Sequence, residues 1–515
     1  MAVGAAVARL PFEIWLHIKE LVDPAESSSF YSVNRAWFEI VMNSRYRVLD
    51  LTHLDEGVLS RLPLVKDPGI SKRVRHLSIS GLALQNSLLS SITGQRVKFP
   101  MDRHALSILN RRIRALDVTT VLNPKVRLIS DVLSMLNVSE YSVKWDFREG
   151  IQSGEVIHAV LQAAVLDVTW PTFGTTLRKL FVSTRPERFH PVLSSDVRLA
   201  QLEEFHLEIL HTSNSAQCHG IQDAFPEYVS SFFARVNPRL ETLSIQSSSN
   251  LDLACLFHQL PSFKNLHRLC LHIFLDSGVL SDASGLDSFF AESALKLRQL
   301  TLFLYHDAMS SVARVLPSLA MVRARIPCLE TLEVNFGMPH QGLTPPLLHE
   351  LHVLFNGARN TLHTVVLEGI ALSHADLATA TAVLADRDAL GRLTLSVLTL
   401  TTRHIDTLAK NAPRIRALGL IFTHLSLFPD GPPEPESECR ESFMAEMRVR
   451  TYPDWELQDI SIWHHARSVD SSRWDLVSLF PACVPTVTNF FGHPLPKRAQ
   501  NRPVPRMLDA LVVSV

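Results

Sequence analysis

Histidines, cysteines and carboxylates are where chemistry would start in this chain. His349-Glu350-Leu351-His352 carries two imidazoles and a carboxylate at near-helical spacing, a donor set that zinc accepts. It is one residue short of H-E-x-x-H, the spacing that brings both rings to one metal, and reads as a solvated helix. His211 with Cys218-His219, and His464-His465, lack companions at ligand spacing, so no metal is expected. Gly150-Ile151-Gln152-Ser153-Gly154 is close to a nucleophile elbow, but its serine stands one place late. None of the 19 glycines forms G-x-G or G-K-[ST], which excludes a dinucleotide fingerprint and a phosphate-binding loop. No catalytic residue and no cofactor are therefore expected, and the chain reads as non-enzymatic.

The elements that would position any site come from a repeat. The pattern apolar-x-x-apolar-x-apolar recurs, with copies at Leu177-Leu180-Val182, Leu202-Phe205-Leu207, Leu240-Leu243-Ile245 and Leu266-Leu269-Leu271. It continues at Leu297-Leu300-Leu302, Leu329-Leu332-Val334, Leu362-Val365-Leu367, Leu390-Leu393-Leu395, Ile415-Leu418-Leu420 and Leu457-Ile460-Ile462. Weaker early copies start at Val74, Ile113 and Val138. The mean spacing is about 32 residues, near the period of a helix-bearing leucine-rich repeat.

A single match means little, because three chosen positions are all apolar about one time in ten in a chain this rich in apolar residues. The clustering, and a charged residue or histidine after the first apolar position (Arg178, Glu203, Glu241, His267, Arg298, Glu330, His363, Arg416), raise the signal. The gaps hold helical patterns: Phe225, Tyr228, Val229, Phe232 and Val236 before Asn237-Pro238, and Val312 to Ile326 before Pro327. Ser373 suits the cap of a helix through Ala375–Ala385.

A strand followed by a helix, repeated, buries its apolar face only against its neighbours. The expected fold is α/β: a solenoid over 74–470 with parallel strands on its concave face. A doubly wound α/β sheet is the alternative, disfavoured by the copy number and the missing nucleotide loops. Period-two alternation points Arg268, His272, Gln299, Thr301, Thr331, Glu333, Asn335, Arg392, Thr394 and Ser396 outward. Arg268, His272, Thr301, Glu333, Asn335 and Arg392 are the candidate residues for contacting a target protein.

Composition narrows the partners. With 50 Lys+Arg against 51 Asp+Glu, no bulk field draws the 515-residue chain to nucleic acid or to a membrane surface. Six scattered cysteines, none in C-x-x-C, suit a reducing compartment, cytoplasmic or nuclear. No transmembrane span is expected, and Met1–Leu10 lacks the basic start of a signal peptide. Residues 430–438 read as an acidic, Pro-rich surface loop, and 471–515 as a C-terminal cap with a Pro-rich, basic tail. Trp463, at an outward position of the last repeat, reads as packing for that tail or as an anchor for a target.

Residues 1–51 differ from the rest, with 52–73 a linker. Pro11 suits the start of a helix, Glu13 its positive end, and Ile14, Ile18 and Leu21 form one apolar stripe ended by Asp23-Pro24. Phe30, Val33, Trp37 and Val41 fit a second stripe, and Leu49-Asp50-Leu51 a first strand. This segment resembles an F-box, whose pattern opens Leu-Pro-x-Glu-Ile and continues to a Val-Cys-Arg-x-Trp-like stretch. Leu10, Pro11, Glu13, Ile14, Ile18, Leu21, Val33, Arg35 and Trp37 match it; Asn34 stands at the usual Cys, and Ser27-Ser28-Ser29-Phe30 replaces a leucine-rich helix. The arrangement is similar to fungal F-box/leucine-rich proteins. The resemblance implies docking on the Skp adaptor, and through it cullin, of a ubiquitin ligase. It implies an adaptor-binding edge of Leu10, Pro11, Ile14, Ile18, Leu21, Val33 and Trp37, with a target protein held by the solenoid. A scaffold that never joins a ligase is the second reading.

Overall fold

A computed structural model describes residues 10–23, 34–93, 118–147, 154–193, 199–211, 218–248, 252–274, 282, 284–305, 326–341, 349, 361–384, 389–426, 436–464 and 479–494. Contacts divide the chain into two compact units, Met1–Leu297 and Arg298–Val515.

The first unit opens with two helices, α1 (Phe12–Leu21) and α2 (Arg35–Tyr46), then β1 (Val48–Leu51). The expected linker is helical: α3 (Glu56–Val65) is capped by Asp55, and α4 (Pro68–Ser71) is capped by Asp67 with Pro68 in its first turn. The repeat strands follow as β2 (His76–Ser80), β3 (Glu140–Trp145), β4 (Lys179–Thr184), β5 (Glu204–Ile209), β6 (Thr242–Ser247) and β7 (Arg268–Phe274). Each pairs in parallel with the next in chain order. The Ile113 copy lies outside the described residues, and β2 pairs directly with β3.

In-register apolar columns explain the pairing. Leu77, Tyr141, Leu180, Phe205, Leu243 and Leu269 form one column, and Ile79, Val143, Val182, Leu207, Ile245 and Leu271 the second. All are buried, worth roughly 1.5–3 kcal/mol for each large side chain. A slip of one residue would turn every column out to solvent.

The residue after the first apolar position supplies the first rung of each ladder. The Arg178 carbonyl accepts the amides of Glu203 and Glu204, the Glu203 carbonyl those of Glu241 and Thr242, and the Glu241 carbonyl those of His267 and Arg268. The backbone is needed there while the side chain stays outside the core, which is why charge recurs at this place.

Between strands lie α5 (Gly81–Thr93), α6 (Val118–Leu133), α7 (Gly154–Leu161), α8 (Asp167–Phe173), α9 (Phe189–Val192), α10 (Cys218–Val236), α11 (Ala254–Gln259) and α12 (Ser284–Ser293). The predicted stripe on α10 buries Phe225, Val229, Phe232 and Val236, whereas Tyr228 is exposed. Edge-on aromatic contacts link successive repeats: Phe205 meets Phe233, Phe233 meets Phe263, and Phe263 meets Phe289.

The second unit runs β8 (Gln299–Tyr305), β9 (Thr331–Gln341), β10 (Thr364–Leu372), α13 (His374–Leu384), β11 (Arg392–Leu400), α14 (Thr402–Asn411), β12 (Ala417–Leu425), α15 (Glu436–Arg448), β13 (Asp459–His464) and α16 (Phe480–Cys483). It closes on the short antiparallel pair β14 (Asn489–Phe490) and β15 (His493–Pro494). From β8 to β14 every pairing is parallel and sequential. In neither unit does the strand order reverse, as it would at the switch point of a doubly wound sheet.

The Ser373 hydroxyl accepts the Asp376 amide, the cap expected before α13, and the Ser373 amide donates back to the Asp376 carboxylate. The helix expected over 312–326 falls outside the described residues apart from Ile326, as do 430–435 of the acidic loop and the tail from residue 495; Glu436 already begins α15.

Among the described residues no helix is long and apolar enough to cross a membrane. Cys255, Cys270, Cys328, Cys439 and Cys483 are not joined in disulfides.

Candidate functional sites

The first candidate is the N-terminal helical pair. Its core is Trp15 against Trp37, rings 6.1 Å apart and edge-on, with Ile40 and Val41 and with Ile18, Val22 and Ala36 packed beside them. Asn34 caps α2 by accepting the Trp37 amide at 2.8 Å, a role cysteine fills poorly. Lys19 donates to Ser44 and ties α1 to α2; Arg73 bridges Glu39 and Asn43 and ties α2 to the segment before β2.

Trp37 was expected on the adaptor-facing edge and is instead 2% exposed. Two stripes share Ile18 on α1: Ile14-Ile18-Leu21 and Trp15-Ile18-Val22. The second wins the interior because an indole buries far more apolar area than a butyl group. The first is left outside, with Ile14 42% and Leu21 87% exposed and Ile18 half-buried. Leu10 and Pro11 are exposed, and Val33 lies outside the described residues.

Phe12 and Leu16 are exposed too, on the other flank of Trp15 at roughly 100° per residue. Phe38 on α2 is a further exposed aromatic. Sequence reasoning missed these three, although a ten-residue helix with six large apolar side chains cannot bury all of them against one partner helix. The other exposed large apolar residues among those described are scattered: Val48 on β1, Leu64 on α3, and Met135, Tyr228, Leu295 and Val449 in the repeats.

The second candidate is the open face of the first unit's sheet. His76, Glu140, Lys179, Glu204, Thr242 and Arg268 form one row across the strands. His76 lies 3.3 Å from Glu140, Lys179 2.8 Å from Glu204, and His206 2.7 Å from Glu204. The His206 hydrogen bond, helped by Lys179, holds the Glu204 carboxyl down at about 2. This row satisfies its own charges. Arg268 is exposed at its end; His272 is half-buried, and burial lowers its pKa.

The third is the open face of the second unit, where alternation fails. Thr301, Thr394 and Ser396, all expected in solvent, are 7%, 3% and 4% exposed. Gly419 is the cause for Thr394: a Cβ there would lie 2.6 Å from Thr394 Oγ1 and 3.0 Å from the Trp463 ring. With no side chain at Gly419, Trp463 and Thr394 close over it. Trp463 also stacks edge-on against Phe491, so it packs the C-terminal segment.

Thr301 donates to Glu333 at 3.1 Å and Asn335 to Glu368 at 2.9 Å. Arg392 is exposed at the start of β11. The structure thus brings Thr301 to Glu333 and Asn335 to Glu368 within the second unit, whereas Arg268 and His272 belong to the first. Glu368, which the sequence reading did not single out, is in register with Asn335 and is the last outward residue before paired bulges at Gly337 and Gly369 (both φ +74°) throw the strands off their period.

One constellation imitates a hydrolase. Ser284 Oγ, His258 Nε2 and Asp282 Oδ2 meet at 2.6–3.1 Å. Serine and aspartate share the same imidazole nitrogen, so the ring cannot take a proton from one while being oriented by the other. Asp282 instead accepts the Ser284 amide and caps α12. Of the expected decoys, His349 is exposed and the rest of its motif lies outside the described residues, and His464 stacks on Phe422. Among the described residues no His/Cys/Asp/Glu group is arranged to hold a metal.

No protein-family profile matches the chain, and no curated protein matches it. Among solved structures it is similar to one described as "Crystal structure of Rad7 and Elc1 complex in yeast", at 15% identity and a TM-score of 0.33. That match covers 68% of this chain and 91% of the other. At that score the superposition is too loose to assign a shared fold, and the chain is placed by its own architecture: an N-terminal helical pair followed by parallel strand–helix repeats.

Proposed function

We propose that this protein is a substrate receptor of a Skp–cullin–F-box ubiquitin ligase, working in the cytoplasm or nucleus. The helical pair docks on the Skp adaptor, and the repeats present a target protein to a conjugating enzyme held elsewhere in the assembly. The chain would supply proximity, with no acid, base or nucleophile of its own.

The observation that carries this reading is the fate of α1. Its interior side is already filled by Trp15, while Leu10, Phe12, Ile14, Leu16 and Leu21 remain in water. Covering side chains exposed to this degree would yield about 1 kcal/mol each, and helices docked through apolar anchors are a recurrent recognition mode. The F-box pattern over Leu10–Trp37 names the partner that such a surface would meet.

Capture of the purified full-length chain by a Skp adaptor tests the reading. Wild type should be retained; Ile14→Asp and Pro11→Asp should abolish retention while the repeats keep their melting temperature. A wild-type chain that never binds the adaptor would favour a scaffold that joins no ligase.

A further inference from the structure

Where the second unit's open face stops alternating, the matched bulges of β9 and β10 leave a cleft of about 80 Å³. Its polar side chains are Asn335, Glu368, Ser396 and Thr423; its apolar wall is Ala371, Val397 and Ile421. Gly337 donates its amide to Asn335 Oδ1 at 2.8 Å, and Asn335 Nδ2 then donates to Glu368. The amide is therefore locked with its donor towards the acid, leaving the rest of the carboxylate free to accept.

Ser396 Oγ is buried, lines the cleft, and has no hydrogen-bond partner. A buried hydroxyl without a partner is costly and calls for a missing group. Glu333 stands near enough to disfavour charge on Glu368, which burial already raises. Among the described residues no basic side chain pairs with either acid. The cleft therefore offers carboxyl and hydroxyl acceptors at one end and apolar surface along its side.

We propose that this cleft binds a primary alkylammonium group, the end of a lysine side chain presented by the target, with its methylenes along Ala371, Val397 and Ile421 and its N–H donors on Glu368 and Ser396. An ammonium brings three donors on a compact head, and an aliphatic stem lies readily on apolar surface. The inference deepens the target-presenting role above and rests on it for the identity of the ligand's owner.

Nα-acetyl-lysine amide is the probe, titrated into the full-length chain by ligand-observed NMR with no adaptor present. Saturable millimolar binding is expected. Glu368→Gln, which keeps the shape of the side chain, should weaken it at least tenfold. Ser396→Ala, which removes an unpaired hydroxyl and leaves the fold intact, should weaken it severalfold.

The proposal is overturned by no saturable binding to wild type, by equal binding of the Nε-acetylated derivative, by tighter binding of Nα-acetyl-arginine amide, or by an unchanged Glu368→Gln. Adaptor capture, run on the same preparations, should be unaffected by Glu368→Gln. For the wild type, probe binding without capture would sink the ligase reading alone, and capture without probe binding would sink the cleft alone.

Discussion

The first helix and the repeat strands carry the same residue types and meet opposite fates. Leu243 and Leu393 each face both a neighbouring strand and a helix layer, and are fully buried. Ile14 and Leu21 stand on a ten-residue helix that, among the described residues, packs on α2 through Trp15. Burial in this molecule is therefore set by the number of neighbours an element has. The repeats are complete because each interior strand has two flanking strands, whereas α1 has one side covered and two flanks exposed. An apolar surface left over by geometry is the kind that another protein covers.

The comparison breaks most visibly where the core is cut. Leu393→Ala should cost about 2–5 kcal/mol, read as a fall in the denaturation midpoint, and Leu243→Ala should behave alike. Trp15→Ala should cost about 3–5 kcal/mol locally, read as faster amide exchange across α1 and α2 with the β2–β7 ladder unchanged. Equal loss of protection throughout the first unit would mean that the helical pair is no separate element.

A smaller effect comes from two histidines. Burial pushes His158 and His404 down to about 4, with Arg188 and His374 adding to it respectively. Trp145 Nε1–H donates to His158, which requires a neutral ring, and His404 takes part in the α14 cap with Thr401. The stability contributed by their neutrality is complete above the unfolded value near 6.5 and is lost as pH falls from there towards about 4. The loss should be on the order of 1–3 kcal/mol between pH 7 and pH 4.5. His404→Gln keeps a capping side chain, cannot titrate, and should flatten part of that slope.

Smaller again, Asn34→Ala should cost about 1 kcal/mol through the lost cap of α2. At the bottom of the scale, Ile14→Asp should shift stability by no more than about 0.5 kcal/mol, as expected for a surface change. A destabilisation as large as that of Leu393→Ala would place Ile14 in a core and remove the contrast altogether.

The repeat strands were legible because their signal is redundant: three apolar positions and, directly after the first, a charged residue or histidine whose carbonyl starts the next ladder. The α3–α4 stretch was less so, although Asp55 and Asp67-Pro68 are ordinary helix starts; its helices are short and one carries Pro63. The edge of α1 was half legible. Its two stripes share Ile18, and only relative side-chain area decides that Trp15 goes in and Ile14 stays out. The cleft at Glu368 was not legible, since it depends on two left-handed glycines in neighbouring strands. Those are events between repeats, and a pattern read within one repeat does not contain them.

Amide exchange of the intact protein with and without a purified Skp adaptor tests the central claim most directly. Backbone amides of residues 10–22 should slow markedly on adding adaptor, while those of β4–β7 and β9–β12 keep their rates. Unchanged exchange in α1 at saturating adaptor, or protection confined to the repeats, would contradict the account.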